Sequence, residues 1–231
     1  MMVEGWVSRG VRAGRFRVKL MATFAACLIA GIAMCDQAMA QGCKPIAQRS
    51  ADVGCWIITE ASLGVLPGRP IYWHLDVYAT RSAAEKAKAL GSTVVEALGK
   101  VWLFTIAEAD WRAVGGERIA EIGPLPVTAG SAYAAQYMEA TFMPGMKSGI
   151  HQHSGPEAWY TLTGEMCLET PDGAMVGRAG GAPVIVPGGP PMELTATGSA
   201  IRRAVVLVLH DAAQPATTLV HDWQPKGLCS G

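Results

Sequence analysis

From Tyr133 onward the chain places apolar residues in short runs broken by glycine and proline, the pattern of strands rather than of helices. Tyr133 to Phe142, Met166 to Glu169, Ala174 to Val176, Val184 to Val186, Met192 to Thr195 and Arg202 to Leu209 each read as a strand. Pro171-Asp172-Gly173 and Gly180-Gly181 supply turns between them. Strands of this length and spacing fit two small packed sheets closing on a hollow interior. The preceding region mixes its signals. Cys55 to Thr59, Ile71 to Tyr78, Val94 to Ala97 and Val101 to Ile106 favour strand, whereas Ser82 to Leu90 is an Ala/Lys/Glu helix capped by Thr80 or Ser82. Tyr72, His74 and Asp76 share one face of their strand, which predicts a solvated face. Gly115-Gly116, Gly123-Pro124 and residues 126–130 punctuate the stretch leading to Tyr133. The expected organisation is an α+β extension over 41–130, a mostly β unit over 131–212 and a tail over 213–231.

The first forty residues have a different character. Arg9, Arg12, Arg15, Arg17 and Lys19 precede an apolar run from Leu20 to Met34, and Ala38-Met39-Ala40 offers a small-x-small cleavage site. That order predicts a secretory signal over 1–40 and an exported protein, periplasmic or secreted. Removing its five basic and two acidic residues from 19 of each leaves 14 Lys+Arg against 17 Asp+Glu. A slightly acidic chain without a clustered basic face excludes nucleic acid, and no later apolar stretch suits a membrane span. Cys43, Cys55, Cys167 and Cys229 remain after cleavage, in a compartment where disulfides persist. A staple near the termini involving Cys55 is expected, with Cys167 as the free thiol.

The chemistry concentrates between residues 145 and 164. His151 and His153 are two apart, so on a strand both imidazoles face the same way. Glu157 comes after a Ser154-Gly155-Pro156 turn, at the start of a returning strand that continues through Leu162. Two neutral imidazoles and one carboxylate form a metal-ligand set. By alternation, Trp159, Thr161 and Thr163 share the face of Glu157, while Tyr160 and Leu162 face away.

The spacing G-x5-H-x-H-x3-E-x6-G, with Gly145, His151, His153, Glu157 and Gly164, resembles the first signature motif of the cupin superfamily. Gly181, Pro187 and Gly189 match part of the second motif, but Met192 stands where the family places its last histidine ligand and Ala196 where it places asparagine. The resemblance implies a C-terminal jelly-roll barrel with one divalent ion, iron, manganese, zinc or copper, on His151, His153 and Glu157. Met192, Trp159 and Thr161 are the expected pocket lining. Three readings of Met192 stay open. The ion is held by three ligands with positions left for substrate, or the thioether coordinates and favours copper(I), or Met192 packs against an apolar ligand while metal affinity has decayed. A small molecule is the expected partner, with a homodimer left open.

The resemblance leaves a metal-dependent oxygenase or isomerase beside a non-catalytic binding, storage or sensing module, since one fold hosts both. No phosphate-binding loop, nucleophile elbow or catalytic thiol pair supports a hydrolase or nucleotide-binding reading.

Overall fold

The computed structural model describes residues 42–229. The expected signal over 1–40 lies outside these residues. In chain order the elements are β1 (Lys44–Pro45), a 3-10 turn at Ile46–Gln48, β2 (Gly54–Val65), β3 (Tyr72–Tyr78), α1 (Arg81–Ala87), β4 (Ser92–Ala97), β5 (Lys100–Ala107), β6 (Glu117–Ile122) and β7 (Ala132–Phe142). They continue as β8 (His151–His153), β9 (Glu157–Thr163), β10 (Glu165–Thr170), β11 (Gly173–Arg178), β12 (Val184–Val186), β13 (Glu193–Thr197), β14 (Arg202–Asp211) and β15 (Thr217–Leu219). The architecture is mostly β, as the strand pattern predicts, and is consistent with a jelly roll. Among the described residues no helix is long and apolar enough to cross a membrane.

A six-stranded sheet in the order β1-β2-β7-β14-β9-β12 is the backbone of the molecule. Its central strands are apolar on both faces, and period-two alternation sends successive residues into different cores. Val205, Leu207 and Leu209 of β14, with Tyr133, Ala135 and Tyr137 of β7, pack against Trp73, Trp102, Phe104 and Ile122 of the four-stranded sheet β4-β5-β3-β6. Ala204, Val206 and Val208, with Met138, Ala140 and Phe142, pack instead with Met166, Leu168, Leu194 and Ala196 of the three-stranded sheet β11-β10-β13. This second interface holds a cavity lined by both sheets. A buried Glu139 on β7 accepts from the Leu98 amide at 2.7 Å and pairs with Arg49, tying the β4–β5 turn to the central sheet.

The segment before residue 130 reaches into the same sheet, because β2 runs antiparallel to β7. Its helix α1 is short, and Thr80 caps it by accepting from the Ala83 amide at 3.2 Å. The expected solvated face of β3 is buried instead. His74 and Asp76 are 0% and 2% exposed. Arg118 of β6 donates to Asp76 at 2.8 Å and meets His74 Nδ1 at 2.9 Å, and His74 Nε2 meets the Glu108 carbonyl at 2.8 Å. The polar face can be buried because the Arg118 guanidinium and the Glu108 carbonyl partner His74 and Asp76 Oδ1.

Cys43 pairs with Cys55, as expected for the terminal staple. Cys167 is not a free thiol, because it pairs with Cys229 across 62 residues and fastens the C-terminal segment to β10. Next to this bridge Glu169 accepts from the Leu228 amide at 2.8 Å and from the Lys226 amide. Loop-closure entropy grows with the enclosed length, so the bridge spanning 62 residues should contribute about 4 kcal/mol and the one spanning 12 about 3 kcal/mol. Thermal melts of Cys167→Ser/Cys229→Ser and Cys43→Ser/Cys55→Ser should show the larger loss in the first variant. The reverse order would mean that the C-terminal segment is held by its hydrogen bonds rather than by the bridge.

Candidate metal centre

Strand β8 carries His151 and His153 on one face, and the Ser154-Gly155-Pro156 turn returns the chain so that Glu157 opens β9. The ligand-type atoms of the three side chains all lie within 4.8 Å of one another. His153 and Glu157 are each 5% exposed, and His151 is half-buried. An isolated bridge to Met192 and the strand β15 hold β8 in place. The backbone of His151 bonds reciprocally to Met192, at 3.1 and 2.8 Å, and on the other side β8 pairs with β15, His153 opposite Thr217 and Leu219 opposite His151.

The tail therefore does more than trail from the barrel. His153 Nδ1 lies 2.8 Å from the Ala216 carbonyl, and His151 Nδ1 lies 2.7 Å from the Gly149 carbonyl. A carbonyl can only accept, so each ring donates from Nδ1 and leaves Nε2 as the ligand atom, free on neutral His151 and available on His153 once the proton that Glu157 favours there is displaced. Sequence reasoning assigned the tail no such role, although the β-branched cluster Thr217, Thr218 and Val220 is a strand signal.

Glu157 supplies the negative charge. Its Oε2 sits 3.4 Å from His153 Nε2, an electrostatic contact at the long edge of hydrogen bonding, and otherwise has no partner among the described residues. Burial alone would raise the Glu157 pKa, but His153, His151 and Arg202 outweigh it and hold the carboxyl below its usual range. Burial, helped by the neighbouring His153, lowers the His151 pKa, so this ring is neutral at neutral pH. For His153 burial is also the largest influence and acts downward, yet the Glu157 carboxylate and the Ala216 carbonyl reverse it and the net shift is upward. Two imidazoles that present Nε2 and a carboxylate oxygen with no partner beyond His153 among the described residues could hold a divalent cation, in charge and donor type.

A cavity of about 60 Å³ opens beside the three residues. That is room for a small ligand group and a few waters, given roughly 10–15 Å³ for one water. Met138, Phe142, Met166, Leu194 and Val206 make an apolar wall, and Ser148, Thr217 and Arg202 add polar groups. The expected lining residues lie elsewhere. Met192 is fully buried in the apolar cluster between the sheets, Thr161 is buried on β9, and neither lines the cavity. Trp159 is fully buried one layer behind, its ring centroid 5.8 Å from Arg202 Cζ.

Arg202 is the residue that motif reading missed. It begins β14, has the inward parity of Ala204 and Val206, and is 1% exposed. Burial lowers its pKa to about 10, partly offset by Glu157, so it stays charged at neutral pH. Its Nε and Nη2 have no hydrogen-bond partner among the described residues.

No protein-family model matches the chain, and no curated protein matches it in sequence. Solved structures that it resembles include a cupin domain from Bordetella pertussis Tohama I, at 22% identity and a TM-score of 0.28, covering 37% of this chain and 88% of that one. The DMSP lyase DddQ from Ruegeria pomeroyi DSS-3 matches at 22% identity and a TM-score of 0.33, covering 40% of this chain and 45% of that one. An oxalate oxidase in complex with the substrate analogue glycolate matches at 21% identity and a TM-score of 0.31, over 38% of this chain and 46% of that one. The match thus spans less than half the length of the lyase and of the oxidase.

Gly164 closes the β9–β10 hairpin against the start of β14 with φ +67°, and a Cβ there would lie 2.8 Å from Arg202 Cα. Left-handed strain and overpacking together predict that Gly164→Ala costs about 2–4 kcal/mol. Urea denaturation checks this. Wild-type stability would mean that the hairpin does not press on β14 so closely.

Proposed function

We propose that this is an exported protein of the cupin type that holds one divalent metal ion on His151, His153 and Glu157 and accommodates a small molecule in the adjoining cavity. The observation that carries the reading is the convergence of two Nε2 atoms, freed by Nδ1 hydrogen bonds, with a buried carboxylate oxygen that no other group satisfies. The donor set suits iron, manganese, zinc or copper. Export is supported by the basic, apolar and small residues in sequence over 1–40 and by two disulfides, which belong to an oxidising compartment. In this reading residues 131–212 form the barrel, 41–130 the extension and 213–231 the tail that supports β8.

When bound, the ion would supply Lewis acidity or oxygen activation, the chemistry of an oxygenase or an isomerase. The chain's own contribution is to fix both imidazoles, exclude bulk water with an apolar wall and present Arg202 to the ligand. A second reading, a binding, storage or sensing module without turnover, is favoured by the composition of that wall. Among the described residues no carboxylate or imidazole beyond the three proposed ligands lines the cavity to move a proton.

Metal analysis of protein purified without added metal or a histidine tag should find close to one divalent ion per chain, and His151→Ala/His153→Ala should abolish it. Metal retained in that variant would contradict the assignment. The ion must displace a proton from His153, whose pKa is raised, whereas Glu157 is already ionised and His151 already neutral. Affinity should therefore level off above the raised His153 pKa and fall about tenfold per pH unit below it. In an enzyme, Glu157→Gln should impair turnover more than ligand binding, because it removes the one anionic ligand while keeping the cavity's shape. Oxygen consumption or product formation with small phenols, sugars and keto acids measures this, and ligand recovered unchanged with every metal would favour the binding module.

A further inference from the structure

The geometry points to a small carboxylate as the molecule this cavity takes, with Arg202 as its anchor. This rests on the metal reading above for the state of Glu157, but the observation that carries it is independent of any metal. Arg202 is 1% exposed, lines the cavity, and leaves Nε and Nη2 without a partner among the described residues. Those two nitrogens form one edge of the guanidinium, the edge that a carboxylate meets side-on with two parallel hydrogen bonds. A buried charge with a whole bidentate edge unsatisfied is costly unless something occupies it.

The surroundings of the guanidinium decide what that occupant is. The Trp159 ring lies 5.8 Å from Cζ and steadies the guanidinium plane by cation–π attraction. Nε and Nη2 are covered in the unliganded cavity, so a ligand reaches that edge by a small displacement of the side chains over it. Glu157 is the nearest candidate within the chain, since its charge acts on Arg202, yet it forms no ion pair with it. Once a divalent cation engages Glu157, no negative charge remains in the cavity to answer the guanidinium. With the cation, Glu157 and Arg202 the site carries a net charge of +2, so an anion supplied from outside lowers that charge and answers the guanidinium. Met138, Phe142, Met166, Leu194 and Val206 form an apolar wall that suits a short apolar body, Ser148 and Thr217 add only hydroxyls, and among the described residues no further cation is present for a phosphate or sulfate. The ligand class is therefore a short-chain monocarboxylate, its carboxylate on Arg202 and its body against the methionine and phenylalanine side chains.

The test is calorimetric titration of the metal-loaded protein, its metal content verified, with acetate, propionate and pyruvate against acetamide, propionamide and pyruvamide. The wild type should prefer each acid to its amide. Arg202→Lys, which keeps the charge but loses the fork, should weaken acid binding roughly tenfold, and Arg202→Gln up to about a hundredfold, with metal content unchanged and the amides unaffected. Equal binding of acid and amide by the wild type would overturn the proposal without needing either variant to fold, as would unchanged acid affinity in a folded Arg202→Gln. If the wild type holds no metal, the metal reading fails on that measurement alone. The same titration on the metal-free protein then decides the anchor separately: a loss of acid binding in Arg202→Lys sustains it, and no acid binding by the wild type ends it.

Discussion

A carboxylate and a guanidinium are buried in one small apolar cavity without bonding each other, and the rest of the site depends on that. Arg202 Nε and Nη2 are shielded from water without a hydrogen-bond partner among the described residues, and Glu157 Oε2, equally shielded, has only its 3.4 Å contact with His153 Nε2. Leaving charged donors and acceptors in this state costs several kcal/mol, so a chain selected only for stability would pair or remove them. In the reading proposed above, these charges and the two imidazole Nε2 atoms organise the cavity for a ligand, with a cation toward Glu157 and an anion toward Arg202.

The fold places these groups by strand parity. On β14 and β7 alternate residues serve two different cores, and Arg202 falls on the same side as Ala204 and Val206, facing the cavity. On β9 the same alternation turns Glu157 inward and Tyr160 and Leu162 toward the four-stranded sheet. A one-residue slip in either register would exchange the faces, so the apolar continuity of the central strands also fixes the position of the charges. The extra sheet before residue 130 covers the outer face of the central sheet and leaves the cavity side to the short strands and the tail.

Much of this was legible in the sequence because it is local. The x-His-x-His spacing, the turn and the returning glutamate need only a period of two and a hairpin to converge. Likewise the strands from Tyr133 onward emerge directly from their apolar runs. What stayed hidden depends on long-range pairing. Arg202 reads as the ordinary start of a strand until β14 is seen between β7 and β9. The tail reads as a tail until Thr217 to Leu219 pair with the histidine strand. Met192, Trp159 and Thr161 lie near the site, but alternation cannot distinguish a residue on the wall from one behind it. Four thiols admit several pairings, so chain topology was needed to join Cys167 to Cys229. The polar face of β3 misled for a similar reason, since a face that looks solvated becomes an interior when Arg118 arrives from another strand.

The central claim, that this cavity is organised around a metal on three named side chains, is tested most directly by anomalous diffraction at the absorption edge of the metal found in untagged protein. The account predicts one peak at bonding distance, roughly 2.0–2.2 Å, from the Nε2 atoms of His151 and His153 and from a Glu157 carboxylate oxygen. A peak elsewhere with the triad bare, or imidazoles turned so that Nδ1 faces the ion, would contradict it.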